Sequence, residues 1–304
     1  MKWILKAVIQ KVISWLPASQ KVNYLFQKYV TRGVRLSGQY FGDKLGHTAD
    51  HLRFYNKYGK VENFMALELG SGWYPVIPIG LFLGGANSVI SIDISPLMTA
   101  EGIRETIAKY LEWYASGKLD HIKPYIKEER LQVLENLETA NLSKEVLLES
   151  LNLELQIRDA RNTGFEESSF DLVCSNNTYE HIYGGILKDI IKEFQRIVKP
   201  GGINSHFIDM SDHFAHLDNS ITIYNYLKYT EKQWSRIDNS VQPQNRLRLP
   251  DYRKMYAEAG ISVLEEERRP GSISHLKKVT VAAPFSGYTQ EEIAVSHVHL
   301  VSSK

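Results

Sequence analysis

The sequence predicts an α/β fold: one Rossmann-like, mainly parallel, seven-stranded sheet with helices on both faces. Three observations support this fold class. Residues 66–95 (ALELGSGWYPVIPIGLFLGGANSVISIDIS) contain a strand, a glycine turn, a helix and a second strand that ends in an acid. After residue 153, strand-like and helix-like segments alternate again, as in a sheet with crossover helices. The chain has 304 residues and 43% hydrophobic content, enough for one large core.

The first 16 residues predict an amphipathic helix. Met1, Ile4, Leu5, Val8, Ile9, Val12, Ile13 and Leu16 recur at helical spacing on one stripe. Lys6 and Lys11 interrupt any long apolar run, so neither a secretory signal nor a spanning helix fits. Two interpretations remain. The stripe packs on the main domain or a second copy, or residues 1–16 lie peripherally on a membrane with Trp3 and Trp15 at its interface and lysines facing lipid phosphates.

Changes of pattern divide the chain. Residues 1–60 predict an N-terminal helical cap and residues 61–304 the main domain. Within the latter, residues 99–153 are rich in Glu, Lys and Leu at helical spacing, which predicts a helical insertion. Later segments predict strands (LELQIRDA, FDLVCSNN, INSHFIDM, ISVLEEE, IAVSHVHLV) and helices (GGILKDIIKEFQRIV, and Asp251 to Ala259). The polar, aromatic residues 211–250 form a separate segment between these strands and helices.

The glycine turn predicts a nucleoside ligand. Gly70 and Gly72 allow a tight backbone turn close to a ligand, and Asp93 ends the next strand, where a carboxylate can bind ribose hydroxyls. Pro75 stands where a dinucleotide fingerprint needs its third glycine, which disfavours a pyrophosphate. Glu68 would repel a phosphate but could hold a cationic amino group. S-adenosylmethionine combines ribose, adenine, an amino acid and a sulfonium, and fits these residues.

With these motifs the sequence resembles the class I S-adenosylmethionine-dependent methyltransferases. ELGSG resembles the first motif of the family, LQIRDARN the segment with the pair that flanks adenine, FDLVCSNNTYEHI the fourth strand and its turn, and FQRIVKPGG the approach to the fifth strand. Residues 61 to about 210 carry the resemblance, apart from the insertion. The resemblance implies a methyltransferase that releases S-adenosylhomocysteine, with these cofactor-binding residues: Glu68, Gly70, Ser71, Gly72, Asp93, Ile94, Asp159, Ala160 and Asn176.

Catalytic candidates crowd the end of the predicted fifth strand, in SHFIDMSDHFAHLD. Histidine can accept a proton near neutral pH, so His213 is the first candidate for a general base, with Asp209 or Asp212 orienting its ring. His181, preceded by Glu180, is the second candidate because its turn should face the acceptor. The cluster shows no familiar metal-ligand spacing, so no metal is expected, although imidazoles and carboxylates are competent ligands. A polar loop of helix-capping histidines is the plain alternative.

The acceptor is expected to be a small molecule, with residues 211–250 as its binding segment. Tyr183, Tyr224 and Asn245 are candidate contacts, and Arg246 and Arg248 could clamp an anionic group; a solvated basic loop is the alternative. O-methylation is the leading reaction because histidines crowd the site. N- or C-methylation, a non-methylating use of the cofactor such as cyclisation, and binding without catalysis remain open.

Composition limits the partners and the compartment. Lys and Arg number 36 against 35 Asp and Glu, so the chain has no strong global field for nucleic acid, and it lacks the Asn-Pro-Pro-Tyr type of motif. The single cysteine, Cys174, excludes an internal disulfide framework and a cysteine-based zinc cluster. A reducing, cytoplasmic setting is expected, with peripheral membrane contact open. The sequence does not define an oligomeric state.

Overall fold

A computed structural model of the chain describes residues 2–31, 35–59 and 62–304. Its centre is a sheet to which the described residues contribute seven strands. Their bounds are β1 (Met65–Leu69), β2 (Ser88–Asp93), β3 (Leu153–Ile157), β4 (Phe170–Asn176), β5 (Val198–Asp209), β6 (Val263–Arg269) and β7 (His297–Ser303). Each strand that the sequence predicts is present.

The strand order is β3-β2-β1-β4-β5-β7-β6. Strands β1 to β5 pair in parallel, whereas β7 runs antiparallel to both β5 and β6. The predicted fold class is therefore confirmed. Strands β2 and β4 lie on opposite sides of β1, because the chain runs outward through β2 and β3 and then crosses back to β4. Ligands bind beyond the carboxyl ends of strands at such a switch point.

Helices cover both faces of this sheet. Within the described residues they are α1 (Trp3–Ile13), α2 (Ser19–Phe26), α3 (Gly38–Tyr58), α4 (Val76–Leu83), α5 (Ala100–Ala115), α6 (Glu128–Glu138), α7 (Lys144–Ser150), α8 (Gly184–Ile197), α9 (Glu231–Ile237), α10 (Leu249–Glu258), α11 (Ile273–Leu276) and α12 (Gln290–Ala294). One core lies under α3 to α7. A second lies under α8 and α10, which correspond to the two predicted late helices. A third, smaller cluster joins α1 to the segments around Phe214 and Trp234.

Three helices, α5, α6 and α7, connect β2 to β3, in the region of the predicted insertion. Their apolar faces pack into the core beside α4, where Leu134 and Leu147 are fully buried. Beyond this detour β3 returns in register, so that Asp93 pairs with Ile157. The Arg158 amide then donates to the Asp93 carbonyl at 3.0 Å. The long separation of Asp93 from Asp159 in sequence is therefore compatible with their meeting at one edge.

The segment predicted as an N-terminal cap has two different environments. Helix α3 packs directly on the sheet: His51 Nδ1 and His299 Nε2 each lie 2.8 Å from Ser205 Oγ, which joins α3 to β5 and β7. Helices α1 and α2 lie farther out, against the segment that follows β5. The predicted boundary at residues 60 and 61 lies outside the described residues.

Helix α1 corrects the expectation that its apolar stripe packs on the domain. Most stripe residues have about half of their surface exposed: Ile4 57%, Leu5 53%, Val8 54% and Val12 48%. The opposite face is buried, because Gln10 Nε2 donates to Gln242 Oε1 at 2.8 Å and Lys11 Nζ donates to the Asp238 carbonyl at 2.6 Å. Trp3 packs against Phe214 with 5.7 Å between ring centroids, so it cannot be an interfacial residue. Met1 lies outside the described residues.

Within the parts of the chain that the structure describes, no helix is both long enough and apolar enough to span a bilayer.

Candidate active site

A cavity of about 900 Å³ opens at the carboxyl ends of β1, β2 and β4. One half is lined by the glycine turn, the segment after β2 and the segment after β3. The other half is lined by α2, α3, the turn after β4 and residues 240–243. This volume falls in the range of small-molecule sites. The two halves match a nucleoside part and a separate acceptor part.

The glycine turn is constrained at Gly70 and open at Gly72. Gly70 has φ +95°, and a Cβ added there would lie 2.4 Å from Thr178 Oγ1, so a side chain is excluded. Thr178 itself donates to the Leu69 carbonyl at 3.1 Å, which holds the turn against the end of β4. Gly72 has φ +56°, and nothing lies within 4 Å of an added Cβ. Its backbone therefore borders free space where a ligand can approach.

Two carboxylates flank this turn, as the sequence predicts. Glu68 is buried and accepts a hydrogen bond from Ser91 Oγ at 2.5 Å, and burial raises the pKa of its carboxyl to about 7. Asp93 accepts from the Ser95 amide at 3.0 Å, and its other oxygen lies 3.4 Å from Ser71 Oγ. Burial also raises the pKa of Asp93. Ile94, 78% exposed, lies beside Asp93 on the cavity wall as an apolar surface for a ring.

The segment after β3 forms the wall beside Asp93. Asp159 and Ala160 both line the cavity. The Asp159 carboxylate is already held by Arg161, whose Nε lies 3.0 Å from both oxygens, and this pair lowers the pKa of Asp159. Asp159 can therefore accept hydrogen bonds from a ligand only through the lone pairs that Arg161 does not use.

Asn176, at the end of β4, is a polar side chain without a partner. It is buried and lines the cavity, and neither its amide nitrogen nor its oxygen has a hydrogen-bond partner. Buried amides are normally paired, so an orphaned one beside a cavity points to a ligand that completes its bonds. Asn176, the two carboxylates and the open turn together fit an adenosyl amino acid, as S-adenosylmethionine is.

The acceptor half contains residues that the sequence did not suggest. Lys44 on α3 lines the cavity, donates to Asn177 Oδ1 at 2.9 Å, and lies over the Tyr40 ring. Burial lowers the pKa of Lys44 to about 8, although Glu180, Glu68 and Asp209 oppose that shift. Three side chains near α2 add amide groups to the wall: Gln20, Asn23 and Gln27. Residues on a distant polar helix carry no local motif, so no sequence pattern could identify them.

Histidines meet beside this half of the cavity. His181 lines the wall, and its Nδ1 lies 2.7 Å from the Pro243 carbonyl. The ring centroid of His213 is 4.9 Å from that of His181, and His213 Nε2 lies 3.4 Å from Asp209 Oδ2. Burial lowers the pKa of His181 to about 4. The lining therefore presents His181 rather than His213, with His213 and Asp209 behind it.

The rest of the predicted histidine and aspartate cluster disperses. His206 is a core residue, with Nδ1 2.8 Å from Ser175 Oγ and Nε2 3.0 Å from the Tyr179 hydroxyl. Asp212 accepts from the Phe214 amide at 2.9 Å and so caps a short turn rather than orienting His213. Alternation along β5 is the reason: neighbouring side chains on a strand point to opposite faces.

The predicted arginine clamp is wrong. Arg248 is fully buried and donates to the carbonyls of Met210 and Ile293. Arg246 donates to the Tyr226 and Tyr229 carbonyls at 2.9 and 2.6 Å and pairs with Glu231. Both guanidinium groups stabilise the segment after β5, because its buried carbonyls outside helices and strands need hydrogen-bond donors.

The other predicted acceptor contacts also divide. Tyr183 lines the cavity, and its hydroxyl donates to Asp238 Oδ2 at 2.5 Å. Tyr224 is buried and donates to the Ala294 carbonyl at 2.7 Å. Asn245 donates to the Tyr179 and Ile182 carbonyls at 2.7 and 2.8 Å and so shapes the turn that carries His181. Of the predicted segment 211–250, only residues 240–243 line the cavity.

Comparisons with known proteins agree with this architecture. A family model described as a methyltransferase domain matches residues 131–205. No curated protein sequence matches the chain.

Several solved structures are similar to it. A protein from Pyrococcus horikoshii has 16% identity and a TM-score of 0.46, with 88% of this chain and 92% of that one covered. An S-adenosylmethionine-dependent methyltransferase from Methanosarcina mazei has 15% identity and a TM-score of 0.45, with 83% and 96% covered. The YcgJ protein of Bacillus subtilis has 13% identity and a TM-score of 0.40, with 84% and 95% covered.

The strand order, the open glycine turn and the family match over residues 131–205 support a class I, S-adenosylmethionine-dependent methyltransferase. S-adenosylmethionine is the cofactor that this support implies.

Proposed function

We propose that this protein transfers a methyl group from S-adenosylmethionine to a hydroxyl of a small molecule, whose proton is removed at the cluster of His181, His213 and Asp209. When bound, the cofactor supplies a methyl group already activated on a sulfonium. The observation that carries the proposal is one cavity whose wall contains both the glycine turn and His181. The turn would hold the cofactor and the histidine would face the acceptor.

Glu68, Asp93 and Asn176 are the residues that would hold the cofactor. Asp93 ends β2, and its Oδ2, which has only the long 3.4 Å bond from Ser71 Oγ, would also accept from ribose hydroxyls. Glu68 would offer a carboxylate to a cationic amino group. The two unpartnered atoms of Asn176 offer a donor and an acceptor. Ile94 would support the flat face of the base. Holding both reactants in one geometry is the main contribution of a protein to methyl transfer.

His181 would accept the hydroxyl proton at Nε2. Its Nδ1 faces the Pro243 carbonyl, so Nδ1 carries the hydrogen and Nε2 keeps its lone pair. A pKa of about 4 leaves the ring neutral at pH 7 but makes it a weak base. A neighbouring cation must then lower the pKa of the acceptor hydroxyl. Lys44 lies on the same wall and supplies one.

The acceptor is a polar small molecule rather than a clamped polyanion. The arginines expected to bind an anionic group donate to backbone carbonyls of the protein instead. Lys44 is then the cationic side chain that the described residues place on this half of the wall. Amide groups from Gln20, Asn23 and Gln242 favour an acceptor with several hydroxyl or carbonyl groups.

The function is tested with S-adenosylmethionine labelled in its methyl group and a metabolite extract from the source cells. We expect one class of small hydroxylated product to gain one methyl mass and the label on oxygen. Label on nitrogen or carbon would overturn the hydroxyl acceptor. A product without the label, as in cyclisation, would overturn methyl transfer itself. His181→Gln should abolish most of the turnover without changing cofactor affinity.

We also propose that α1 rests on an anionic membrane surface. Its exposed apolar face is continuous with Trp15, which is 72% exposed. The first 42 residues contain no Asp or Glu, while Lys2 and Lys21 lie exposed on this segment. A contiguous apolar helix face in basic surroundings fits lipid headgroups better than a second copy of the same basic surface.

Vesicle flotation tests this contact. The full chain should float with vesicles of phosphatidylglycerol and phosphatidylcholine, and the double variant Leu5→Glu, Val8→Glu should not. Val146→Glu introduces a charge at a residue exposed on α7 and should float like wild type. If the wild type ignores the vesicles but light scattering shows a dimer that the double variant loses, α1 binds a second copy and the membrane proposal is refuted.

A further inference from the structure

Ligand-type atoms converge behind His181 in two overlapping groups. One group contains Glu180, His181 and His213, the other Asp209, His213 and His216, and within each group the atoms lie within 4.8 Å of one another. Two ligands on a single zinc-sized ion lie at most about 4.4 Å apart, since each sits at about 2.0–2.2 Å. Small side-chain rotations would therefore bring either group onto one ion.

Glu180 gives an independent sign of a missing partner. It is only 4% exposed, and neither of its carboxylate oxygens has a hydrogen bond of good geometry, although the Asn177 side chain and the backbone of Glu180 itself act on it as weak donors. A buried carboxylate without strong donors is costly, so such a group normally pairs, protonates or binds a metal. Its carboxylate belongs to the same converging group as His181 and His213.

The two histidines are oriented as metal ligands usually are. The Pro243 carbonyl receives the Nδ1 hydrogen of His181 and leaves Nε2 unprotonated. Asp209 lies 3.4 Å from His213 Nε2. Backbone carbonyls and carboxylates in these positions fix the tautomer and ring plane of ligating histidines. These partners hold both rings without the help of a bound ion.

The charges around the group also favour a cation. Glu180, Asp209 and Glu68 act on Lys44, and no ion pair joins Lys44 to any of them in the described residues. His216 and His297 lie 3.8 and 3.4 Å from the Asp209 carboxylate on its other side. Acidic side chains therefore outnumber Lys44 at this end of the cavity, and a divalent ion would be attracted to them.

We propose that Glu180, His181 and His213 bind one divalent transition-metal ion, with Asp209 positioning His213. Two imidazoles and one carboxylate suit Mn²⁺, Fe²⁺ or Zn²⁺ better than Ca²⁺. This group is preferred over the second because it contains the carboxylate without strong donors and the histidine on the cavity wall.

The role of the ion in catalysis rests on the proposed function, whereas its binding does not. A bound ion would lower the pKa of an acceptor hydroxyl more strongly than a weakly basic imidazole could remove the proton. The proton then leaves to water, the acceptor oxygen bonds to the methyl carbon, and the carbon–sulfur bond breaks with its electron pair on sulfur. His181 Nε2 is then a ligand, so its proton-accepting role under the proposed function applies only to the metal-free protein.

Binding is measured by calorimetry of Mn²⁺ alone with the full chain, after removal of any affinity tag and treatment with chelator. We expect one ion per chain. Replacing a metal ligand or its hydrogen-bond partner usually weakens metal binding at least tenfold, so Glu180→Gln and His181→Gln should each lower the affinity for Mn²⁺ by about 10-fold or more. His275→Gln replaces an exposed histidine outside the group and should bind like wild type. Far-ultraviolet circular dichroism checks that each variant folds.

The competing results are distinct. Absence of Mn²⁺ and Zn²⁺ binding by the wild type refutes the site. Strong loss in His216→Gln with none in Glu180→Gln refutes this ligand set in favour of the other group. Methylation that survives exhaustive chelation refutes the catalytic role, because the binding data would stand without it. A chain that binds the ion but methylates nothing refutes the proposed function and leaves the metal site intact.

Discussion

Replacing Arg248 separates a structural role from an acceptor-binding role. Its guanidinium donates to the Met210 carbonyl at 2.6 Å, the Tyr226 hydroxyl at 2.9 Å and the Ile293 carbonyl at 2.5 Å, and also to the Val295 carbonyl. These bonds tie the end of β5 to the chain before β7. Arg248→Ala should therefore destabilise the whole domain.

The expected size of the loss follows from the orphaned acceptors. The Met210 carbonyl keeps the Tyr226 hydroxyl as a donor, whereas the Ile293 and Val295 carbonyls lose theirs. Two buried carbonyls left without donors cost about 1–3 kcal/mol each, or roughly 2–6 kcal/mol together. Removing a buried charge returns part of this because the charge no longer has to be desolvated. We expect a net loss of about 2–4 kcal/mol, which lowers Tm by roughly 3–6 °C in a chain of this size. The stability of Arg248→Lys should fall between those of wild type and Arg248→Ala, since an ammonium group cannot reproduce the forked donors of a guanidinium.

Urea unfolding followed by circular dichroism measures this loss, with Arg253→Ala as a control. Arg253 lies on the same helix but pairs with Glu266 at the surface, where such pairs contribute about 0–1 kcal/mol. Saturating S-adenosylmethionine should raise both midpoints. If Arg248→Ala unfolds at the wild-type urea concentration and instead raises the KM for the acceptor, the clamp hypothesis is restored and our account of this loop fails.

Three further predictions concern the cavity. Asp93→Ala should weaken S-adenosylmethionine binding by about 10- to 100-fold, the loss of a hydrogen bond to a charged group, and unchanged calorimetric affinity would contradict its role. Gly70→Ala should lower both stability and cofactor affinity, because its Cβ would collide with Thr178; a normal melt with normal affinity would show that the turn can shift. The pKa of Glu180 is raised by burial to about 8 from 4.5, so its ionisation destabilises the metal-free fold as pH rises through that window. Metal-free Glu180→Gln should thus gain stability over wild type between pH 4.5 and 8 in urea titrations, and a constant difference would refute the shift.

Local patterns were sufficient for the sheet and the cofactor half of the site. Each strand has its own apolar run, and the turn at Gly70 and Gly72 needs only a few neighbouring residues to be recognised. Pro75 directly precedes α4, at the position where a dinucleotide fingerprint has its third glycine. Asp93 and Asp159 follow strands directly, so their common edge followed from parallel pairing alone.

Predictions about side-chain direction were less successful, because direction depends on distant partners. The arginines near residue 247 looked exposed in a polar segment, yet carbonyls of β5 and α12 bind Arg248. The stripe of α1 has the right period for packing, but specific hydrogen bonds from Gln10 and Lys11 place the opposite face inward. Lys44 reaches the cavity because α3 packs on the sheet beside β5.

The sequence by itself determined the class of fold, the glycine turn and the two acidic strand ends, because these depend on residue types within one strand–turn–helix unit. Only the tertiary structure decided which polar side chains line the other half of the cavity. Glu180, His181 and His213 meet because β4 and β5 are neighbours and their carboxyl ends share one edge. His206, on the same β5, is turned into the core by the alternation of the strand, and no local pattern distinguishes it from His213.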